Sequence, residues 1–235
     1  MTALITNVAI QKTTFKYEIP YMLLITAVLL VMGMTGNEIT FIEGVILWIL
    51  FIAYLLYLYI LAKKGNDSSD EQSVKLYPVW KCLLFIVLGG VCVVIGSQFV
   101  VNGATTIARA CGMSERFIGL TIVAFGTSLP ELVTSVSAAR KGNAGIAIGN
   151  IVGSNIFNIL FVVGTVALIC PVPFESRFVI DTVVAILCGV LLWGGTIRHK
   201  ELRKPCGVVM LLCYAAYFVY LSLIHISEPT RLALI

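Results

Sequence analysis

Charged residues are scarce in this sequence. Asp, Glu, Lys and Arg make up 12% of its 235 residues, whereas a soluble domain usually carries about 25%. Hydrophobic residues make up 59%, and the mean hydropathy is +1.00. This composition excludes an ordinary soluble domain and predicts an integral membrane protein. The net charge of +4 does not indicate nucleic-acid binding, because the basic residues lie between apolar segments.

The sequence also lacks the usual patterns of metal, disulfide and secretory proteins. Its seven cysteines are scattered without CxxC or Cys/His spacing, so they predict small core residues rather than ligands or disulfides. Residues 1–20 contain no apolar core of the length that a cleavable signal peptide needs. We therefore expect no cofactor and no cleaved leader.

Apolar runs of about 20 residues, long enough for helical spans, follow one another along the chain. They predict an all-α polytopic membrane protein with seven helices. If alternate connections lie on opposite sides, one side holds twelve of the sixteen Lys and Arg residues. Because positive residues stay cytoplasmic, the N-terminus is predicted inside and the C-terminus outside. The predicted spans are 19–36, 41–62, 79–101, 117–139, 144–168, 179–197 and 206–224.

A repeat relates residues 43–60 to residues 206–223 at an offset of 163. Upstream, Phe15 matches Phe178 at the same offset, and the Ala-Leu-Ile at 3–5 matches 167–169 after a slip of one residue. The identities in the helix are Gly44/Gly207, Val45/Val208, Ala53/Ala216, Tyr54/Tyr217, Tyr57/Tyr220 and Leu58/Leu221.

The repeat predicts the organisation of the domains. Residues 1–64 would end a first repeat, 65–78 would be a cytoplasmic linker, and 79–224 would be a second five-helix repeat. An odd number of helices inserts successive copies in opposite orientations, as in inverted-repeat transporters. First-copy counterparts of the helices at 79–168 would precede Met1, so we expect an N-terminal repeat to be missing and this chain not to transport alone. Residues 225–235 are predicted to be a non-native tail.

The stretch GTSLPELVTS, residues 126–135, carries the most informative chemistry. Glu131 is the carboxylate that lies well inside a predicted span, where it costs a few kcal/mol and needs a proton or a cation as partner. Pro130 has no N–H, so the carbonyl of Gly126 loses its helical hydrogen bond. Broken helices at membrane depth persist where they line a cavity. Hydroxyls of Thr127, Ser128, Thr134 and Ser135 flank the carboxylate.

The next predicted helix carries two parallel stripes. Glycines recur every fourth residue and allow another helix to approach closely, and polar residues recur one position further on. Hydroxyl, amide, carbonyl and carboxylate oxygens are the ligands of hard cations such as Na⁺ and Ca²⁺. A proline kink and simple helix packing remain the alternative interpretations. The stripes are Gly145, Gly149 and Gly153 beside Asn150, Ser154 and Asn158, with Asn155 adding a further amide.

The stretches GLTIVAFGTSLPELVTSVSAARKG and AIGNIVGSNIFNILFVVG resemble the second alpha-repeat of the cation/calcium exchanger superfamily, in particular its prokaryotic sodium/calcium antiporters. The resemblance places this alpha-repeat at 117–168. It implies that Glu131 is shared by Ca²⁺ and Na⁺, that Asn158 occupies a position that is Asp in some members, and that a second Glu comes from the first repeat. It also implies oxygen ligands from the side chains of Thr127, Ser128 and Ser154 and from the carbonyl of Ala124.

The resemblance therefore implies a secondary-active antiporter that exchanges Na⁺ for Ca²⁺ by alternating access, with K⁺ open as a further ion. Its expected surroundings are the lipid bilayer of a bacterial or archaeal plasma membrane, without nucleic acid. A proton/Ca²⁺ exchanger and a truncated, non-transporting membrane protein are the alternatives. An intramembrane enzyme using Glu131 is disfavoured, since His199 lies in a predicted loop and His225 in the tail.

Overall fold

Helices make up most of the computed structural model, which describes residues 2–5, 7–65, 78–113, 118–119, 122, 124–197 and 200–227. The π-helical segment Thr14–Glu18 leads into α2, and the π-helical segment Asn158–Val163 joins α7 to α8. The helices are α1 (Thr2–Ile5), α2 (Ile19–Gly36), α3 (Phe41–Gly65), α4 (Val79–Ala110), α5 (Ala124–Thr127), α6 (Leu129–Arg140), α7 (Ala144–Phe157), α8 (Gly164–Ile169), α9 (Ser176–Ile197) and α10 (Lys204–Ser227).

Five of the predicted spans are confirmed as helices long and apolar enough to cross a membrane. The predicted span 206–224 lies in α10, whose apolar part Lys204–Tyr220 is shorter than the other five. An all-α polytopic membrane fold is thus confirmed, whereas the count of seven spans stays a prediction. Within the described residues, the five helices are Thr14–Gly36, Phe41–Lys64, Val79–Ala110, Gly145–Ile169 and Phe178–Ile197.

The predicted span 117–139 is not one continuous helix. α5 ends at Thr127, Ser128 forms a turn, and α6 begins at Leu129. Residues 117, 120, 121 and 123 of this span lie outside the described residues, as do 66–77 of the predicted linker and 228–235 of the predicted tail. The first residues of that tail are helical, since α10 continues to Ser227.

The chain divides into two units, one formed by 1–73 with 138–210 and the other by 74–137 with 211–235. The core of the first unit is aliphatic and comes from α2, α3, α7 and the π-helical segment after α7, where water is displaced from branched side chains. Its fully buried members include Ile19, Ile25, Leu47, Val152, Ile156 and Leu160.

Four short strands in the first unit pair as the internal repeat would require, and the repeat itself stays a prediction. β1 (Val8–Ala9) pairs antiparallel with β4 (Glu201–Leu202), and β2 (Glu38–Ile39) pairs antiparallel with β3 (Val172–Pro173). Adding 164 to the residue numbers of β1 gives those of β3, and adding 163 to the residue numbers of β2 gives those of β4. Exchanging the two copies therefore turns one strand pair into the other. A simple translation would not do so, and the pairing favours two copies related as by a two-fold axis.

Backbone hydrogen bonds beside these strands repeat in the same way. Ile10 N–H donates to the carbonyl of Lys200 at 2.9 Å, and its counterpart Phe174 N–H donates to the carbonyl of Asn37 at 2.7 Å. Asn37 and Lys200 have φ values of 55° and 52°, and they are the non-glycine residues with positive φ in the described part of the chain. Both copies thus use a left-handed residue to turn the chain after a long helix.

Two glycines make equivalent close helix contacts. A Cβ atom on Gly44 of α3 would lie 3.0 Å from the Cβ of Ala167 in α8. A Cβ atom on Gly207 of α10 would lie 2.9 Å from the Cβ of Ala3 in α1. Both distances are shorter than ordinary van der Waals contact, so a glycine is needed where each long helix begins beside its short helix.

The π-helical segment Thr14–Glu18 marks a difference between the copies. Four residues separate Ile10 from Phe15, whereas three separate Phe174 from Phe178. A π-helix closes its hydrogen bonds one residue later than an α-helix and so accommodates one extra residue. The insertion explains why α2 is entered through a π-helix while α9 is α-helical from Ser176.

Candidate cation site

The interruption between α5 and α6 lies where the sequence predicts a broken helix. Ser128 N–H donates to the carbonyl of Phe125 at 3.1 Å, and the carbonyl of Ser128 accepts from Leu132 N–H at 3.1 Å. Pro130 is the second residue of α6, a position whose N–H would have no partner within the helix. The proline therefore begins a new helix rather than kinking a continuous one.

Glu131 lies in the first turn of α6. Its side chain is partly buried, and its Oε2 atom is out of contact with solvent. A helix N-terminus carries a partial positive charge of about half an elementary charge, which stabilises a carboxylate in the first turn. Glu131 thus lies at the end of α6 whose partial charge is complementary to a carboxylate.

The hydroxyl groups around the break differ in exposure. Thr127 and Ser128 are exposed, whereas Ser135 is 2% exposed. Thr134 Oγ1 donates to the carbonyl of Pro130 at 2.7 Å, so the hydrogen of this hydroxyl is used within α6. The backbone of Ala124, the predicted carbonyl ligand, begins α5. Thr127 and Ser128 are therefore solvent-exposed hydroxyl residues that come shortly before Glu131 in sequence.

Helix α4 packs on this break, which the sequence analysis missed. A Cβ atom on Gly126 would overlap the side chain of Val101 in α4, so glycine permits the close approach. A cavity of about 370 Å³ lies between α4 and the start of α6 and is mostly apolar. The neighbouring small residues Gly96 and Ser97 were the available sequence signal. The cavity is lined by Cys92, Val93, Gly96, Ser97, Val100, Leu129, Pro130 and Val133.

The predicted polar stripe lies on α7 and at its end. Ser154 Oγ and Asn155 Nδ2 both donate to the carbonyl of Ile151, at 3.1 Å and 2.9 Å. These bonds use hydrogens of the two side chains and leave oxygen lone pairs, which are what a cation binds. Asn150 is partly buried, and Asn158 is exposed where α7 passes into the π-helical segment.

The glycine stripe of α7 behaves differently from the expectation. A Cβ atom on Gly145 would contact Gln11 at 3.8 Å, but one on Gly149 or Gly153 would meet no described atom within 4 Å. Close helix packing is therefore not found at these two glycines among the described residues. Among the described residues, no atom lies in the space that a side chain at Gly149 or Gly153 would take, next to the polar stripe.

The eight predicted ligands divide between the two units. Ala124, Thr127, Ser128 and Glu131 belong to the second unit, and the α7 residues belong to the first. Each set offers hydroxyl, amide, carbonyl or carboxylate oxygens, which suit hard cations. Their role in ion binding stays a prediction. The set from the first unit is Asn150, Ser154, Asn155 and Asn158.

The segment that contains the predicted ligands matches a known protein family. Residues 81–223 match the family described as sodium/calcium exchanger protein. The uncharacterized membrane protein MJ0091 of Methanocaldococcus jannaschii is 34% identical over 91% of this chain and 68% of its own length. The sodium/calcium exchanger MaX1 of Methanosarcina acetivorans is 38% identical over 60% of this chain and 41% of its own length.

A solved structure shares the fold. The sodium-calcium exchanger NCX_Mj, in crystals soaked with zero Na⁺ and Ca²⁺, superposes with a TM-score of 0.75 at 31% sequence identity. The match covers 94% of this chain and 70% of the solved chain.

Proposed function

Because this chain belongs to the sodium/calcium exchanger family, we propose that it acts in the exchange of Na⁺ for Ca²⁺ across a membrane. The observation that carries the proposal is Glu131, a carboxylate in the first turn of a half-helix inside the segment that matches the family. Discontinuous helices of this kind hold the ions of many secondary transporters.

Glu131 would be shared by the two ions in turn. Thr127, Ser128 and the carbonyl of Ala124 would add oxygens from α5 and the turn after it. The amides and hydroxyl of α7 would complete the set: Asn150, Ser154, Asn155 and Asn158. Ca²⁺ takes six to eight oxygens, so several of these groups would have to act together.

The exchange needs no covalent step. Na⁺ and Ca²⁺ would occupy overlapping oxygens, and their mutual repulsion would make occupancy by one exclude the other. An empty site would change its access from one side of the membrane to the other slowly, because an uncompensated carboxylate inside the membrane costs a few kcal/mol. A site that holds a cation would change its access readily, since the cation neutralises Glu131. This difference in rate between the empty and the loaded site couples the Na⁺ and Ca²⁺ fluxes.

The finer assignments form part of the proposal. Seven helices would span a bacterial or archaeal plasma membrane, with the first residues cytoplasmic and the last outside. The distribution of Lys and Arg supports that orientation. Na⁺ and Ca²⁺ are the proposed substrates, and K⁺ is tested as a further ion.

The test is a flux measurement in proteoliposomes, made on the protein expressed from the full reading frame that contains this sequence. Vesicles loaded with Na⁺ are diluted into Na⁺-free medium with ⁴⁵Ca²⁺, with and without K⁺. We expect uptake that depends on the Na⁺ gradient, and we expect Glu131→Gln to abolish it. A matched control is Glu38→Gln, because Glu38 is an exposed carboxylate in β2.

Three outcomes would contradict the proposal in different ways. Uptake driven by a pH gradient without Na⁺ would favour a proton/Ca²⁺ exchanger. Absence of uptake under either gradient would favour a non-transporting membrane protein. Unchanged uptake in Glu131→Gln would remove Glu131 from the site.

A further inference from the structure

A cavity of about 300 Å³ lies in the first unit, between the entry to α2 and the second half of α3. Its lining combines aromatic rings with one carboxylate, that of Glu18. The α3 residues that line the cavity recur at helical spacing, so they lie on one face of α3. The cavity is lined by Tyr17, Glu18, Tyr21, Leu50, Ala53, Tyr54 and Tyr57.

The four tyrosine rings form a continuous array. Tyr21 stacks on Tyr54 with centroids 5.4 Å apart and planes at 9°, and Tyr54 stacks on Tyr57 at 6.2 Å. Tyr17 lies 6.2 Å from Tyr57 at an angle of 56°. Tyr21, at one end of the array, is held in place by a hydrogen bond from its Oη to the carbonyl of Leu50 at 2.9 Å.

Polar features of the cavity are matched to a cation rather than to an apolar ligand. The Oη atom of Tyr57 is buried and has no hydrogen-bond partner among the described residues. A buried hydroxyl without a partner is costly and indicates a missing partner group. The array already attracts one ammonium, since Lys16 Nζ lies 5.3 Å from the centre of the Tyr17 ring.

The donor set distinguishes between kinds of cation. Ca²⁺ takes six to eight oxygen ligands at short distance, whereas this cavity offers one carboxylate and phenol oxygens. An organic ammonium instead binds over aromatic faces with a carboxylate beside them, as in aromatic cages. An anion is disfavoured by Glu18. The volume lies at the lower end of the range for ligand pockets, about 300–1,000 Å³, which suits a small head group.

The second copy of the repeat does not contain this array. The counterparts of Tyr54 and Tyr57 are Tyr217 and Tyr220, which are also stacked. The positions of Tyr17 and Tyr21 are taken by Ile180 and Val184. Moreover, Tyr17 and Glu18 lie in the π-helical segment that the one-residue insertion creates in the first copy alone. π-helical turns of this kind are frequent at functional sites.

We propose that the cavity formed by Tyr17, Glu18, Tyr21, Tyr54 and Tyr57 binds an alkylammonium group. The rings provide the faces for the cation, and Glu18 balances its charge. An ammonium that retains an N–H also donates to the Oη atom of Tyr57. The group belongs either to a lipid head group or to a soluble amine, and the two sources share this chemistry.

The direct test titrates tetramethylammonium and methylammonium into the full chain in phosphatidylglycerol nanodiscs, which contain no ammonium lipid. Ligand-observed NMR measures the affinity, with NaCl added to keep the ionic strength constant. We expect saturable binding of both ions. Glu18→Gln and Tyr21→Leu should each weaken it about fivefold or more, as expected from the loss of a charge or of a ring face. Tyr220→Leu, in the second copy, is the matched control and should leave it unchanged.

A conservative variant separates a ligand site from simple aromatic packing. Tyr57→Phe keeps the ring and removes the hydroxyl, so it should weaken methylammonium and spare tetramethylammonium. Circular dichroism and gel filtration report whether each variant is folded. Absence of saturable binding, or equal binding in the wild type, Glu18→Gln and Tyr21→Leu, would overturn the proposal.

A second arm identifies the source of the ammonium. Phosphatidylcholine is added to the nanodiscs at increasing fraction. If its head group occupies the cavity, tetramethylammonium binding decreases in the wild type in proportion to the lipid. If a soluble amine is the occupant, tetramethylammonium binding is unaffected by the lipid. Both results support an alkylammonium site, and they assign its origin.

Discussion

Asn37 and Lys200 occupy equivalent places in the two copies of the repeat, and both adopt the left-handed backbone conformation. The strands beside them, the hydrogen bonds to their carbonyls and the glycines at the start of the next helices are also equivalent. The side chains on this shared backbone have nevertheless diverged. The repeat thus preserves backbone geometry, while residue type and one inserted residue give each copy its own surface.

Deleting Lys12 is expected to have the largest effect on the difference between the two copies. The deletion gives the first copy the spacing of the second, so the segment Thr14–Glu18 can become α-helical. Tyr17 and Glu18 would then rotate away from α3, and tetramethylammonium binding should be lost. Lys12→Ala keeps the chain length and is the control, which should bind normally. Equal binding by the two variants would mean that the insertion does not build the cavity.

The residues at positions 33 and 196 test how each copy fills the same space. A Cβ atom on Gly33 would overlap the ring of Phe174, whereas the counterpart of Gly33 is the buried Thr196 and the counterpart of Phe174 is Ile10. Gly33→Thr should therefore destabilise the chain by about 1–3 kcal/mol through overpacking. Adding Phe174→Ile converts the site to the second-copy arrangement and should recover most of that loss.

Thermal unfolding in detergent measures all four members of this double-mutant cycle. Simple addition of the two single-variant effects would contradict a direct exchange of volume between the two positions. Recovery in the double variant would show that the copies differ here by a compensated swap.

The long spans could be predicted from sequence because hydrophobicity over about 20 residues leaves few alternatives. The repeat was visible through the glycine and tyrosine identities around Gly44 and Tyr54. The paired strands were not predictable, since two residues are too few to show a period. The π-helical segment could have been found, because the slip from an offset of 164 to 163 marks the inserted residue.

The candidate site was predictable in kind and less so in detail. Pro130 indicated a break, and the structure places the break at Ser128, where a new helix begins with Glu131 in its first turn. The contact of α4 with Gly126 was not predicted, since the small residues Gly96 and Ser97 do not show which distant helix packs on α4. The absence of a described neighbour at Gly149 was likewise not predictable, because a glycine stripe fits helix packing and a cavity equally well.

The glycines at 44 and 207 should differ in how they can be rescued. Alanine at either position brings a Cβ atom too close to its neighbour, and each should cost about 1–3 kcal/mol of stability. At Gly207 the close atom is the Cβ of Ala3, so Ala3→Gly should restore the stability of Gly207→Ala. At Gly44 the backbone carbonyl of Gly164 also lies at 3.0 Å. Ala167→Gly should therefore rescue Gly44→Ala only in part.

Unfolding temperatures of the four variants and the two rescued pairs measure this difference. Full rescue at both sites would show that the backbone contact at Gly44 can relax, and the two contacts would then be equivalent in energy as well as in geometry.

The smallest effect is expected at the left-handed residues themselves. A residue with a Cβ atom costs about 1–2 kcal/mol in this conformation, and Asn costs less because its side chain can bond locally. Lys200→Gly should therefore raise the free energy of unfolding by somewhat less than 1 kcal/mol, because glycine also gains freedom in the unfolded chain. Asn37→Gly should be close to neutral.

The Lys200 side chain is exposed, and the bond from Ile10 N–H uses the backbone carbonyl of Lys200, so substitution of Lys200 removes no described contact. Lys200→Asn makes the copies identical at this position and should gain stability in the same direction as Lys200→Gly. Thermal unfolding of the three variants checks the order, and an equal gain at positions 37 and 200 would mean that residue type does not set the cost of this shared turn.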